Sequence, residues 1–147
     1  MTISAPYAQF VIGLGNGGFA MTTDTFKVML ASSTYTPLMA SHQYASAVGT
    51  SEITGTGYTA GGKELTGLSW IYDPVNLWIA FKAANPTWTG ATFTARYAIV
   101  YKATGDPATS PLVSYVDFLT NQSVASDTFT LDFSAGIVHL TPSSVSG

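Results

Sequence analysis

Two stretches of this chain carry glycine at spacings that could cradle phosphate. Gly13-Leu14-Gly15-Asn16-Gly17-Gly18 satisfies G-x-G-x-x-G, a pattern whose glycines let main chain approach a pyrophosphate at a helix N-terminus. That chemistry also needs a preceding strand, a helix starting within the glycines and an acid about 20 residues further on. Here the glycines run into Phe19-Ala20-Met21-Thr22-Thr23, which has no helical length, so the motif reads as a glycine loop. Gly57-Tyr58-Thr59-Ala60-Gly61-Gly62-Lys63 fits the opening of a P-loop, but Glu64 stands where Ser or Thr must hold magnesium. A carboxylate there repels phosphate, and Thr66-Gly67 leaves no room for a long helix. No nucleotide or other cofactor is expected.

Metal and acid–base chemistry find as little support. His42 and His139 lie far apart without ligand-spaced neighbours, there is no EF-hand pattern, and the absence of cysteine removes disulfides and thiolate ligands. His139 alternates with Val138 and Leu140, which places it on the outer face of a strand. Asp117, Asp127 and Asp132 could share a sheet, where outward carboxylates are ordinarily just solvated. Ser and Thr are plentiful, yet no histidine sits in a recognisable elbow around them. No metal or catalytic residue is nominated, and the chain is not expected to be an enzyme.

The aromatic residues are better candidates. Trp78 falls on the face opposite Leu77, Ile79 and Phe81, and Trp88 lies in the turn-like Asn85-Pro86-Thr87-Trp88-Thr89-Gly90. Exposed tryptophans in β-domains stack on sugars or contact proteins; buried, the same pair would close the ends of a core. Phe19 and Tyr58, in the two glycine-rich segments, join Trp78 and Trp88 as candidate partner contacts.

Composition sets the frame for these residues. The chain has 147 residues, 46% hydrophobic and 13% aromatic, enough for one domain with a core. Only 9% are charged, against roughly 25% in an average soluble protein. Thr, Ser and Gly replace the missing charge, and hydroxyls are far easier to desolvate than ions. Such a surface suits life packed against other chains. The net charge of -3, with four lysines and one arginine dispersed, argues against nucleic acid. No run approaches the ~20 apolar residues of a membrane span. The apolar stretch in MTISAPYAQFVIGLGNGG lacks a positive segment before it and is not expected to be a secretory signal. A cytoplasmic protein, or one released by lysis, fits.

Period-two alternation dominates the chain. Asp24–Leu30 sets Phe26, Val28 and Leu30 against Thr25, Lys27 and Met29. Thr92–Lys102 sets Phe93, Ala95, Tyr97, Ile99 and Tyr101 against Thr94, Arg96, Ala98, Val100 and Lys102. Asp127–Phe133 turns Phe129, Leu131 and Phe133 inward. Further strands are predicted at Leu68–Tyr72, Leu77–Lys82, Pro111–Phe118 and Ile137–Thr141. Asp73-Pro74-Val75-Asn76 joins the first two as a hairpin turn, since proline presets φ and aspartate accepts from the turn backbone. Ser134-Ala135-Gly136 makes another tight connection, and Thr104-Gly105-Asp106-Pro107 opens a loop. Helix is predicted only at Leu38–Ala47 and Tyr7–Leu14. The fold class is therefore all-β, an antiparallel β-sandwich or barrel-like domain of about seven to nine strands with one or two short helices. Residues 1–147 form one domain, with residues 1–23 as a contact arm. The predicted core is Phe26, Val28, Leu30, Leu77, Ile79, Phe93, Tyr97, Ile99, Phe129, Leu131 and Phe133. Ordered ends at Met1–Pro6 and Thr141–Gly147 would point to neighbouring chains holding them, because free ends fray.

Asp24-Thr25-Phe26-Lys27-Val28-Met29-Leu30 followed by Ser33-Thr34-Tyr35-Thr36-Pro37 resembles a family of small tailed-bacteriophage virion proteins. The resemblance continues through Glu52–Gly62, Thr87–Thr89, Ala95–Lys102 and Pro111–Phe118, and so spans about residues 7 to 141. Gly13–Gly18 departs from the more charged helix end of that pattern. The resemblance implies a structural component without enzymatic residues, of the kind that studs the outer surface of the head as a capsid decoration, or cement, protein. It implies manufacture in the host cytoplasm, the major capsid protein or another virion protein as partner, and a homo-oligomer, a trimer above all. It also explains the glycines at 55, 57, 61 and 62 as a shaped loop. A tail or fibre component is the alternative within that class, and a carbohydrate-binding β-sandwich using Trp78 and Trp88 is the alternative outside it. Partner contacts are expected from Ala5–Thr23 and Gly49–Glu64, and binding of that kind is expected to depend only weakly on salt.

Overall fold

The computed structural model describes residues 3–141; of the two end segments, Met1–Thr2 and residues 142–147 lie outside the described residues. The order is β1 (Ile3–Pro6), α1 (Ala8–Gly15), β2 (Phe26–Ala31), two single 3₁₀ turns (Ala45–Ala47 and Gly49–Ser51), β3 (Lys63–Glu64), β4 (Ser69–Asp73), β5 (Trp78–Lys82), β6 (Thr87–Lys102), β7 (Leu112–Thr130) and β8 (Val138–Leu140). The described residues are all-β with one short α-helix. Their strands form two antiparallel sheets, ordered β1-β7-β6-β2-β3 and β4-β5-β8. No helix among the described residues is long and apolar enough to cross a membrane.

The larger sheet is covered on both faces. On one side Phe26, Val28 and Leu30 of β2 meet Phe10 of α1, Phe81 of β5 and Val138 of β8, with the Phe26 and Phe81 rings 5.1 Å apart. On the other, Met29 and Ala31 pack with Tyr7, Tyr35, Ala45 and Val48. Met29, predicted to face outward, is therefore buried. Its strand lies between β6 and β3, and the segment after it folds back over the second face.

The alternation of β6 is not continuous. Phe93 and Ala95 face the first cluster, but Tyr97, Ile99 and Tyr101 face the second, while Ala98 and Val100 take over the first. The predicted single face is thus split between Ala95 and Tyr97. Pairing with β7 jumps there from Ala95↔Gln122 to Tyr97↔Asp117, and such a bulge exchanges the faces of everything beyond it. Asp117 fixes the irregularity: its Oδ1 accepts from Arg96 Nε and from Leu119 N, each at 2.7 Å, and Leu119 takes a φ of 68°.

Other predictions are corrected in the same way. Pro111–Phe118 and Asp127–Phe133 are not separate strands, because β7 runs through to Thr130 with irregularities at Leu119 and Ser126. Leu38–Ala47 is not a helix beyond the single 3₁₀ turn at Ala45–Ala47. Ala45 N donates to Ser110 O, Ser46 N to Pro107 O and Leu112 N to Gln43 O, so the loop before β7 captures the main chain that a helix would need. Leu77 is 58% exposed with φ 59° and belongs to the turn, not the core. Ile79 and Phe129 are half-buried; the other eight predicted core residues are buried.

Gly13–Gly18 ends a helix. Gly18 N donates to Gly13 O at 2.8 Å and Gly17 N to Leu14 O at 3.3 Å, with Gly17 left-handed at φ 77°, the Schellman arrangement. These glycines sit at the negative end of α1, the wrong end for phosphate.

Candidate functional site

The four candidate contact residues fall into different surroundings. Trp88 is 1% exposed, packed among Tyr58, Phe93 and Phe129 at ring distances of 5.9–6.4 Å. It is a core residue and has no surface to offer a partner, which corrects its nomination. The turn-like look of Asn85–Gly90 misleads because Pro86 and Thr87 lead straight into β6, whose first inward position is Trp88.

Tyr58 is half-buried and fixed by polar bonds. Its hydroxyl donates to Glu52 Oε1 at 2.6 Å and accepts from Leu30 N at 3.0 Å. Burial first, and the bond to Glu52 second, push this phenol far above its ordinary range. The same Glu52 oxygen accepts from Gly61 N at 2.6 Å, and Tyr101 Oη donates to Gly61 O at 2.6 Å. The amide that a phosphate would require from Gly61 is thus already engaged by a carboxylate. Gly62 is left-handed at φ 81° and lies so close to Val28 O that no Cβ fits. The glycines of this segment shape a loop against β2 and β6, and Ile53 N, Thr56 O and Gly62 N are all paired within the chain. The main chain of this segment, where partner contacts are expected, is thus only partly free to pair with another protein.

Phe19 is half-buried against Phe10 and Phe26, with ring distances of 4.9 and 6.4 Å. The Lys102 ammonium sits 5.8 Å above its ring and is paired to Asp24 Oδ2 at 3.0 Å. Within Ala5–Thr23 the large apolar side chains that face outward are instead Val11 and Ile12 of α1.

Trp78 is half-buried and reaches an opening only through its neighbour His139. Its ring stacks on the His139 imidazole at 3.9 Å, and His139 lines a groove of about 780 Å³. The floor is apolar, from Phe118, Phe129, Leu131 and Phe133, with Gln122 and Asp132 at its polar margin. Each wall has a local cause. The Leu119 irregularity bends β7 over the groove, and the Ser134-Ala135-Gly136 turn, closed by Gly136 N to Phe133 O at 2.9 Å, brings the chain back to β8. His139 Nε2 is bonded to Ala135 O across that turn. Asp132 accepts from Ser134 N at 2.9 Å, and the bonds from Ser134 hold its carboxyl below the usual range.

The groove offers apolar shape with few charges. Asp117 is committed to Arg96, Asp132 to Ser134 and Asp127 to Thr128 N at 2.7 Å. Among the described residues no three His, Asp or Glu side chains gather to hold a metal ion. The groove was not legible beforehand, because its walls come from residues on either side of the β7 bend and from the β8 strand. The outward placement of His139 was the one sequence signal pointing there.

A second cavity, of about 590 Å³, opens over Lys27, Glu52, Glu64 and Tyr101. Burial first, with the Glu52 charge behind it, pushes the Tyr101 phenol up to about 12. Below this face, Tyr7 Oη and Tyr35 Oη are 2.7 Å apart and Tyr35 Oη is 3.0 Å from His42 Nδ1.

Comparison with protein-family models, with curated proteins and with solved structures finds no match to this chain.

Proposed function

We propose that the chain is a structural virion protein of a tailed bacteriophage, a capsid decoration protein that stabilises the head by bridging capsid subunits. The observation that supports this best is a surface poor in charge that carries large exposed apolar side chains: Val11, Ile12, Leu38 and Met39 in one part of the chain, and Ile71, Tyr72, Val75 and Leu77 in another. Side chains of this kind cost little to desolvate and gain by burial against a partner. The resemblance of Asp24–Pro37 and Ala95–Lys102 to small phage virion proteins supports the class. In this reading the protein acts as a homo-oligomer, with a trimer favoured, on the outer surface of the head, and performs no catalysis. Its function is binding energy, since a ligand of the assembled state stabilises that state by mass action.

The test is to remove the protein from particles, by stripping or gene deletion, and to heat them with and without added protein. Genome release at a higher temperature when the protein is present is the expected result. Release at the same temperature either way overturns the reading and favours a tail or fibre component. The carbohydrate-binding alternative is weakened by the burial of Trp88 and by the His139 ring covering one face of Trp78. Specific retention on a glycan array would restore it.

A further inference from the structure

The outer edge of β7 is only partly occupied. β1 pairs with Ser114–Asp117 and stops, and among the described residues no strand lies on the outer side of 120–130. That open run carries a single charge, Asp127, and the groove floored by Phe118, Phe129 and Phe133 opens beside it. An edge that no strand covers, interrupted at Ser126 and lying alongside an apolar groove, has the form of a strand-addition site, in which main chain pairs with main chain and alternate side chains enter pockets.

The chain itself displays a segment of matching character. The β4–β5 hairpin exposes Ile71, Tyr72, Val75 and Leu77, with Val75 86% exposed, and β4 is the open edge of its sheet. Its turn is held rigidly: Asp73 accepts from Val75 N, Asn76 N and Asn76 Nδ2 at 2.7–3.1 Å. Leu77 projects from a left-handed backbone that disfavours a leucine, and such strain is characteristic of sites that present a side chain. Of the two charges of the hairpin, Asp73 is engaged by the turn and Lys82 lies at the far end, opposite Ser69, and the open run opposite has no basic or acidic cluster to oppose the tip.

We infer that the β4–β5 hairpin of one copy seats its apolar tip and β4 edge in the β7 groove of a second copy of this chain. Knob and groove are different surfaces, so the contact is heterologous and successive copies can close a ring. Self-assembly of this kind rests on the homo-oligomer of the reading above and is independent of where that oligomer sits.

Sedimentation of the purified full chain, over micromolar to millimolar concentration, tests it. Wild type should self-associate. Val75→Lys, which charges the knob, and Gln122→Arg, which charges the groove margin, should each raise the dissociation constant by about tenfold or more. Leu77→Gly should weaken association likewise while leaving the fold at least as stable, which separates lost contact from lost structure. Mixing Val75→Lys with Gln122→Arg leaves one intact knob and one intact groove, and should give one-to-one pairs. A wild type monomeric throughout, variants that associate like wild type, or a mixture that stays monomeric would each overturn the contact. None of these outcomes bears on whether added protein raises the temperature of genome release from particles.

Discussion

The Trp78 indole lies flat on the His139 imidazole, with 3.9 Å between centroids and 5° between planes. One residue opens β5 and the other is the middle of β8, so the pair fixes the turn end of the hairpin to the strand that borders the groove. Aromatic pairs contribute about 0.5–1.5 kcal/mol beyond area. His139→Ala should lower stability by about that amount, and the hairpin amides should exchange faster with solvent. Unchanged exchange at Ile71–Ile79 would show that the stack does not hold the hairpin.

Ile99 is fully buried in the cluster behind β6. Ile99→Ala removes a large side chain and leaves a cavity, at a cost of about 2–5 kcal/mol in urea unfolding. A loss under about 0.5 kcal/mol would mean that β6 beyond its bulge faces the other way.

Leu77→Gly should behave oppositely. Relief of the left-handed backbone offsets the extra freedom glycine gives the unfolded chain, so stability should stay level or rise by up to about 1 kcal/mol. A clear loss would place the Leu77 side chain in the core after all.

Gly62→Ala should be among the most damaging small changes available. Its Cβ would collide with Val28 O at a φ of 81°, combining strain with overpacking for a cost of roughly 2–4 kcal/mol. Gly49→Ala, left-handed but with open space around it, should cost roughly 1–2 kcal/mol. Equal losses at the two sites would show that contact with β2 is not what selects glycine at 62.

The Asp117 carboxyl is held below the usual range, first by the hydrogen bonds from Arg96 and then by Leu119 N–H, with partial burial opposing them. A depressed folded value means that the pairing stabilises the protein above the unfolded value near 4 and that this stability is lost as pH falls through the folded value. Thermal midpoints should therefore drop below about pH 4. Asp117→Asn should start lower at neutral pH and lose less on acidification. Parallel curves for the two proteins would show that Asp117 does not contribute to the acid limb.

Local pattern carried part of this far. Phe26, Val28 and Leu30 alternate in the sequence and face one cluster in the fold, and Asp73-Pro74 marks a turn where the turn occurs. What stayed hidden was set by distant partners. The face exchange in β6 comes from Asp117 and Leu119 on another strand, and the Leu38–Ala47 helix loses to bonds accepted by Pro107 O and Ser110 O and donated by Leu112 N. Leu77 was misplaced because alternation continues through it, whereas only the turn geometry sends it outward. Of the site, Trp78 was legible as an aromatic on an unexpected face, but the groove beside it was not. Its walls meet only when β7 bends and β8 returns.

The larger sheet joins segments far apart in the chain: Ile3 pairs with Asp117, and Phe26 with Lys102. Sheets closed by such distant partners form slowly, because the entropy of closing the intervening loops must be met before pairing rewards it. During synthesis, β1 has no strand to pair with until β7 is made, and β2 has only the two-residue β3 until β6 is made. Until then Phe26, Val28 and Leu30 form an apolar β-prone segment without its cover. Nascent copies crowded on one message are therefore most prone to wrong pairing in the interval between the emergence of β2 and that of β6.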